Sequence, residues 1–169
     1  LIGPIIGDMA CGEYGEGKME DPNKIFNEIF KFLNDQKKKL KALVTAGPTI
    51  EYIDPVRFIS NKSSGKQGYE LAKSLSKRGF ETTLISGPTK LNDRINNKDI
   101  NLIMVETAEE MFKATQRSLP TDVAIFSAAV ADFKVVDKKS SKIKKKSNLT
   151  INLEKNIDIL NFVSNHNSM

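Results

Sequence analysis

Residues 42–79 read "ALVTAGPTIEYIDPVRFISNKSSGKQGYELAKSLSKRG". The apolar run "ALVTAG" (42–47) predicts a short buried strand, closed by Gly47-Pro48. The stretch "GKQGYELAKSLSKRG" predicts a helix that turns Tyr69, Leu71, Ala72 and Leu75 inward, starts near Ser64 and ends at Gly79. Between them "SSGK" invites a phosphate-loop reading, and the spacing rejects it. A Walker loop is G-x-x-x-x-G-K-S/T. Here Gly65-Lys66 is followed by Gln67, no glycine opens the motif, and the path from strand to helix is too long. No G-x-G-x-x-G fingerprint follows the strand either. A bland reading stays open: a serine cap, Arg57 paired with an acid, and Asn61 bracing a turn.

Working outward, "EDPNKIFNEIFKFLNDQKKKLK" predicts a helix with Asp21 as N-cap, Pro22 in its first position, and Ile25, Ile29, Phe32 and Leu33 on one face. "ETTLISG" (81–87), "NLIMVE" (101–106) and "DVAIFSAAVAD" (122–132) are further β-rich runs. "TAEEMFKATQRS" carries a capping box, Thr107 with Glu110. Continuous apolar strands alternating with helices predict an α/β fold, a three-layer Rossmann-like domain with a mostly parallel sheet. Ligands in such sheets bind at the carboxyl ends of the strands, where the loops after Ala46, Ser86 and Ala129 would meet.

Composition narrows the function classes. The chain has 169 residues, 39% hydrophobic, enough for one domain with a real core and an appended arm. A single cysteine, Cys11, excludes an internal disulfide framework and fits a reduced, cytoplasmic setting. No apolar run reaches bilayer-spanning length, and the glycine-rich, acidic start lacks the basic region of a signal peptide. The single histidine, His166, sits in a polar tail, which leaves no His-based triad or zinc cluster. The net charge of +5 comes largely from one segment, Lys138, Lys139, Lys142, Lys144, Lys145 and Lys146, and so suggests a local anion site. Lys142 and Lys144 flank Ile143 and would share one face of an extended strand. The same run could be a solvated face or a nucleic-acid contact, although only Phe133 lies near it as an aromatic partner.

Together "TAGPTIEYIDPVRFISNKSSGKQGYELA", "SAAVADF" and "KIKK" resemble the phosphopantothenate–cysteine ligase domain of the bacterial bifunctional coenzyme A biosynthesis proteins. "DMACGEYGEGKMEDP" resembles the last motif of the flavin-dependent decarboxylase half of the same proteins. The resemblance implies residues 1–40 as the tail of the decarboxylase domain with its linker, and 41–169 as a ligase domain truncated at its C-terminus. It implies CTP-dependent ligation of cysteine to 4'-phosphopantothenate through an acyl-cytidylate, with Mg²⁺ on the triphosphate and no dedicated metal ligands in the chain. FMN would belong only to the missing decarboxylase half, and a homodimer is expected, with neither nucleic acid nor membrane as partner. By motif, Asn61 resembles the residue on the acyl-cytidylate, Arg57 the arginine beside it, Lys142 the catalytic lysine and Cys11 the decarboxylase proton donor. Ala128, Asp132, Lys142, and Ile157, Asp158, Ile159 and Leu160 of the stretch "NIDIL" (156–160) resemble nucleotide-contacting positions, with Ile157 standing where the family has proline. Gly65 and Gly68 would let the loop approach a ligand closely, and the helix start would offer its amides to an anion. Two other readings stand beside this one: a catalytically incomplete fragment that keeps the fold, and a nucleic-acid-binding module built on the lysines.

Overall fold

The computed structural model describes residues 5–8, 12–18, 20–35, 39–91, 95, 100–144 and 148–165. Cys11, Lys145, Lys146 and His166 lie outside them. The chain divides into two compact units, Leu1–Lys38 and Lys39–Met169.

The first unit holds an antiparallel pair, β1 (Ile5–Asp8) and β2 (Tyr14–Lys18), followed by helix α1 (Pro22–Asp35). Asp21 caps α1 as expected: its Oδ1 accepts from the amides of Asn23 at 2.8 Å and Lys24 at 3.3 Å. Ile29, placed on the apolar face by its spacing, is nonetheless exposed.

The second unit is built on β3 (Lys41–Ala46), β6 (Glu81–Ser86), β7 (Ile100–Met104) and β8 (Val123–Phe126), all parallel, in the order β7-β6-β3-β8. Alternation along the strands sends side chains to two faces. Val44, Ala46 and Leu84 pack with Tyr69 and Ala72 of α2 (Lys66–Lys77), with Leu71 and Leu75 partly buried beside them. Leu43 and Ile85 pack on the other face with Met111 and Ala114 of α3 (Ala108–Arg117) and with Ile159 of α4 (Ile159–Ser164). The unit is therefore the expected three-layer α/β arrangement. The capping box of α3 is present in full: Thr107 accepts from the Glu110 amide, and Glu110 accepts from the Thr107 amide.

Three local expectations change. α2 begins at Lys66, because Gly65 stands in the left-handed region at φ 73° and no side chain caps the helix. The β-rich run 122–132 is a strand only over Val123–Phe126. Gly47, also left-handed at φ 73°, interrupts its partner strand, so the pairing continues beyond as a single bridge between Pro48 and Ala129. The lysine segment forms no strand at 142–144; the Ile143 main chain is tied to side chains instead.

Two further antiparallel pairs, which the sequence pattern does not predict, lie outside this sheet: β4 (Ile50–Tyr52) with β5 (Phe58–Ser60), and β9 (Phe133–Val135) with β10 (Leu153–Lys155).

Candidate functional site

The strand order reverses beside β3: its crossover through α2 leads to β6 and outward to β7, and the connection through α3 returns to place β8 on the other side of β3. Crevices for ligands form at such switch points. Here the crevice floor is laced by main-chain bonds: Ala129 N–H to Gly47 O at 2.8 Å, and Thr49 N–H to Ala129 O at 3.2 Å. The Thr49 hydroxyl accepts from the Ala131 amide at 2.8 Å. Small side chains at 127–131 follow from this closeness.

Glycines at the rim serve packing. A Cβ on Gly68 would stand 2.5 Å from Ala46 Cβ and 2.6 Å from Ser127 Oγ. One on Gly65 would stand 2.8 Å from Thr89 Cγ2 and 3.2 Å from the Gly47 backbone. Both glycines bring α2 onto the sheet; the close neighbours are protein atoms, not open space for a ligand. The amides of Gly65 and Lys66 are turned onto the hydroxyls of Ser63 and Ser64, at 3.3 and 3.4 Å.

Asn61 reaches across the rim. Its Nδ2 donates to Val130 O at 3.0 Å and Ala129 O at 3.4 Å, tying the 61–64 loop to the segment after β8. Arg57 is engaged elsewhere. Its Nε donates to Asp54 Oδ2 at 3.0 Å, its Nη2 to the same oxygen, and Nη2 also reaches Ile143 O at 3.2 Å. Asp54 is fully buried; Oδ1 accepts the amides of Val56 and Arg57, and Oδ2 accepts the Ile143 amide at 3.1 Å. The Arg57 guanidinium, helped by these amides, holds the Asp54 carboxyl well below the usual carboxylate range despite its burial. The lysine segment is thus docked: besides Ile143, the Lys139 amide donates to Ile53 O at 3.0 Å, and the Lys138 ammonium lies 4.8 Å from the centre of the Tyr52 ring. The Tyr52 hydroxyl donates to Glu106 at 2.7 Å, and that bond raises the phenol above its ordinary value. Lys142 itself is exposed.

Beside this rim lies a cleft of about 550 Å³ that takes in Ala128, Asp132, Ile157, Asp158, Ile159 and Leu160. Six of the seven positions expected at a nucleotide therefore converge, although 128–132 and 157–160 are far apart in sequence. Lys142, Arg57 and Asn61 are not in its wall. Within the cleft, Ile159 is buried core, and Asp158 is the N-cap of α4, accepting the Asn161 amide at 2.9 Å. Sequence reasoning held Asn156 only as the first residue of the stretch 156–160 and missed Glu51 behind it. The Asn156 Nδ2 donates to Glu51 Oε1 at 3.0 Å and Ala131 O at 3.1 Å. No periodicity marks such a pair. Among the described residues no group of three or more His, Cys, Asp or Glu could hold a metal ion, and no helix is long and apolar enough to cross a membrane.

The family model for the DNA/pantothenate metabolism flavoprotein C-terminal domain matches residues 37–169. The chain belongs to this family. It is 45% identical over 168 residues to the Coenzyme A biosynthesis bifunctional protein CoaBC of Haemophilus influenzae, covering 96% of this chain and 41% of that protein. It is 42% identical over 167 residues to a cysteine/cysteine sulfinic acid decarboxylase from an unknown prokaryotic organism, covering 94% of this chain and 46% of that protein. The chain thus spans less than half the length of these relatives. The crystal structure of the C-terminal domain of CoaBC superposes with a TM-score of 0.63 at 39% identity, over 76% of this chain and 60% of that one. Cab2 mutant H337A in complex with phosphopantothenate-cysteine superposes with a TM-score of 0.62 at 18% identity, over 84% of this chain and 65% of that one, a likeness of fold.

These matches bear out the resemblance to the CoaBC family and correct the expectation of CTP-dependent ligation. The matched region is described as the C-terminal domain of a flavoprotein, not as a ligase. Of the residues that the resemblance assigned to the reacting groups, Arg57 is engaged by Asp54, and Lys142 lies outside the cleft wall. The family's description implies a flavin in the parent protein. The cleft suits its ring poorly: Asp132 and Asp158 are acceptors, and the amides of Ala131, Asn156 and Ile157 already donate within the protein. A flavin ring is itself rich in acceptors and would find few donors there. No step is therefore routed through a flavin at this cleft.

Proposed function

We propose that the second unit is a binding domain of coenzyme A biosynthesis that seats a phosphorylated pantothenate-derived acyl amide in the cleft beside Ala128–Asp132. The observation that carries the reading is the convergence of Ala128, Asp132, Asp158 and Leu160 on one cleft at the sheet's switch point. The acceptors of the cleft and its one lysine suit such a ligand. Asp132 and Asp158 would accept from its amide and hydroxyl hydrogens, Lys155 would meet one anionic end, and the wall of Phe126, Ala128 and Val130 would cover its methyl and methylene groups. The relatives named CoaBC and the phosphopantothenate-cysteine held by Cab2 support this ligand class.

Residues 1–40 as the tail of a preceding domain, and a homodimer, are parts of the same proposal. Phe58, Phe133, Val136 and Leu153, exposed on or beside the two antiparallel pairs, are candidates for the dimer surface, which sedimentation of the chain would test. Calorimetric titration with phosphopantothenoylcysteine tests the binding reading, with FMN and Mg-CTP as parallel arms. Saturable binding of the acyl amide, lost when its phosphate is removed, supports it. Absence of saturation, or preference for FMN, overturns it.

A further inference from the structure

Among the described residues, Asn156 is the one side chain that touches both walls of the cleft by hydrogen bonds and is itself part of its lining. One wall is the segment at 128–132, the other the turn from Lys155 into α4. The Asn156 amide donates to Asp132 O at 2.8 Å, and its Nδ2 donates to Ala131 O at 3.1 Å. Its Oδ1 accepts the Ile157 amide at 3.1 Å.

Behind it stands Glu51 of β4, buried, whose Oε1 accepts both Asn156 Nδ2 and the amide of Ala108 at the start of α3, at 3.0 and 3.1 Å. A carboxylate is acceptor only, so it dictates which end of the Asn156 amide faces it. Nδ2 is turned to Glu51, and Oδ1 is thereby turned to Ile157. The helix start adds a fixed partial positive charge that holds the carboxylate in place.

We propose that Asn156, oriented by Glu51, is the positioning residue of this cleft: it holds the 157–160 wall at its distance from the 128–132 wall. This rests on the binding reading above for its ligand, but its structural half can be tested alone. Asn156→Ala removes the three side-chain bonds and leaves 157–160 held only by α4 and the Asn156 main chain. Glu51→Ala leaves Asn156 free to flip. Glu51→Gln keeps an acceptor oxygen and is the rescue.

The experiment measures amide hydrogen exchange at Ile157 in the free chain, together with calorimetric affinity for phosphopantothenoylcysteine. Asn156→Ala and Glu51→Ala are expected to speed Ile157 exchange by about tenfold and to weaken the ligand by about tenfold, as loss of one or two partly buried hydrogen bonds does. Glu51→Gln should stay within about threefold of the wild type in both. Asn156→Ser supplies the same comparison should the alanine variants not fold. Unchanged Ile157 exchange in Asn156→Ala, or a Glu51→Gln variant as impaired as Glu51→Ala, overturns the proposal. If the wild type binds no phosphopantothenoylcysteine, the ligand reading fails, and the exchange result still decides the positioning role.

Discussion

The main-chain N–H of Ile143 donates to the buried Asp54 carboxylate at 3.1 Å, joining residues 89 positions apart. Asp54 also holds Arg57, so one carboxylate closes the β4–β5 turn and docks the lysine-bearing segment on it. Replacing Asp54 by Asn keeps the shape, but an amide group then faces donors. Asp54→Asn is expected to lower the unfolding midpoint by several degrees. It should also speed cleavage by a lysine-specific protease at Lys142 and Lys144. Equal cleavage rates in the two proteins would show that the segment is held by other means.

The same carboxylate sets an acid limb. Asp54 is held well below the usual range, by Arg57 first, so its contribution to stability is complete above the unfolded-chain value of about 3.9. As pH falls below that value, the unfolded chain takes up a proton that the native carboxylate refuses, and stability drops. Asp54 therefore adds no pH dependence between about pH 5 and 8. Thermal melts of the wild type should fall more steeply below about pH 4 than those of Asp54→Asn. Parallel acid limbs would contradict this assignment.

At Gly68 α2 packs against the sheet with no room for a Cβ, which would stand 2.5 Å from Ala46 Cβ. Gly68→Ala should destabilise by about 1–3 kcal/mol, the cost of overpacking a tight contact. A denaturation midpoint unchanged by the substitution would mean that the helix shifts freely outward.

Asn61 ties its loop to Ala129 and Val130 through donors alone. Asn61→Asp would set a carboxylate against two carbonyl oxygens, whereas Asn61→Ala only removes the tie. The aspartate variant should bind phosphopantothenoylcysteine more weakly than the alanine variant, by calorimetry. The reverse order would mean that the loop does not need its bond to 129–130.

The sheet was legible because its strands are buried on both faces and read as continuous apolar runs, as at Leu43, Val44, Leu84 and Ile85. The β4–β5 pair was hidden by its brevity: three residues a side, around a turn whose signal is the Asp54-Pro55 step. The cleft residues, including Asn156 at the head of 156–160, were found through resemblance; Glu51 and Asp54 were not. Each acts through main-chain groups distant in sequence, and such partners leave no local spacing. Arg57 was placed beside the ligand by motif; the alternative, an acid partner, is what the structure shows, and the burial of that acid, Asp54, leaves no mark in the sequence.

The central claim is that an anionic acyl amide occupies the cleft bounded by Asp132 and Leu160, and one measurement tests it most directly. Leu160 is 58% exposed and lines the cleft, whereas Leu149 is 51% exposed and lies outside it, so a glutamate at either site should leave folding intact. Calorimetric titration of phosphopantothenoylcysteine into the wild type, Leu160→Glu and Leu149→Glu compares a carboxylate placed in the cleft with one placed elsewhere. We predict that Leu160→Glu weakens binding by at least about tenfold, as a like charge at close range does, and that Leu149→Glu matches the wild type. Equal affinity in all three proteins would contradict the account.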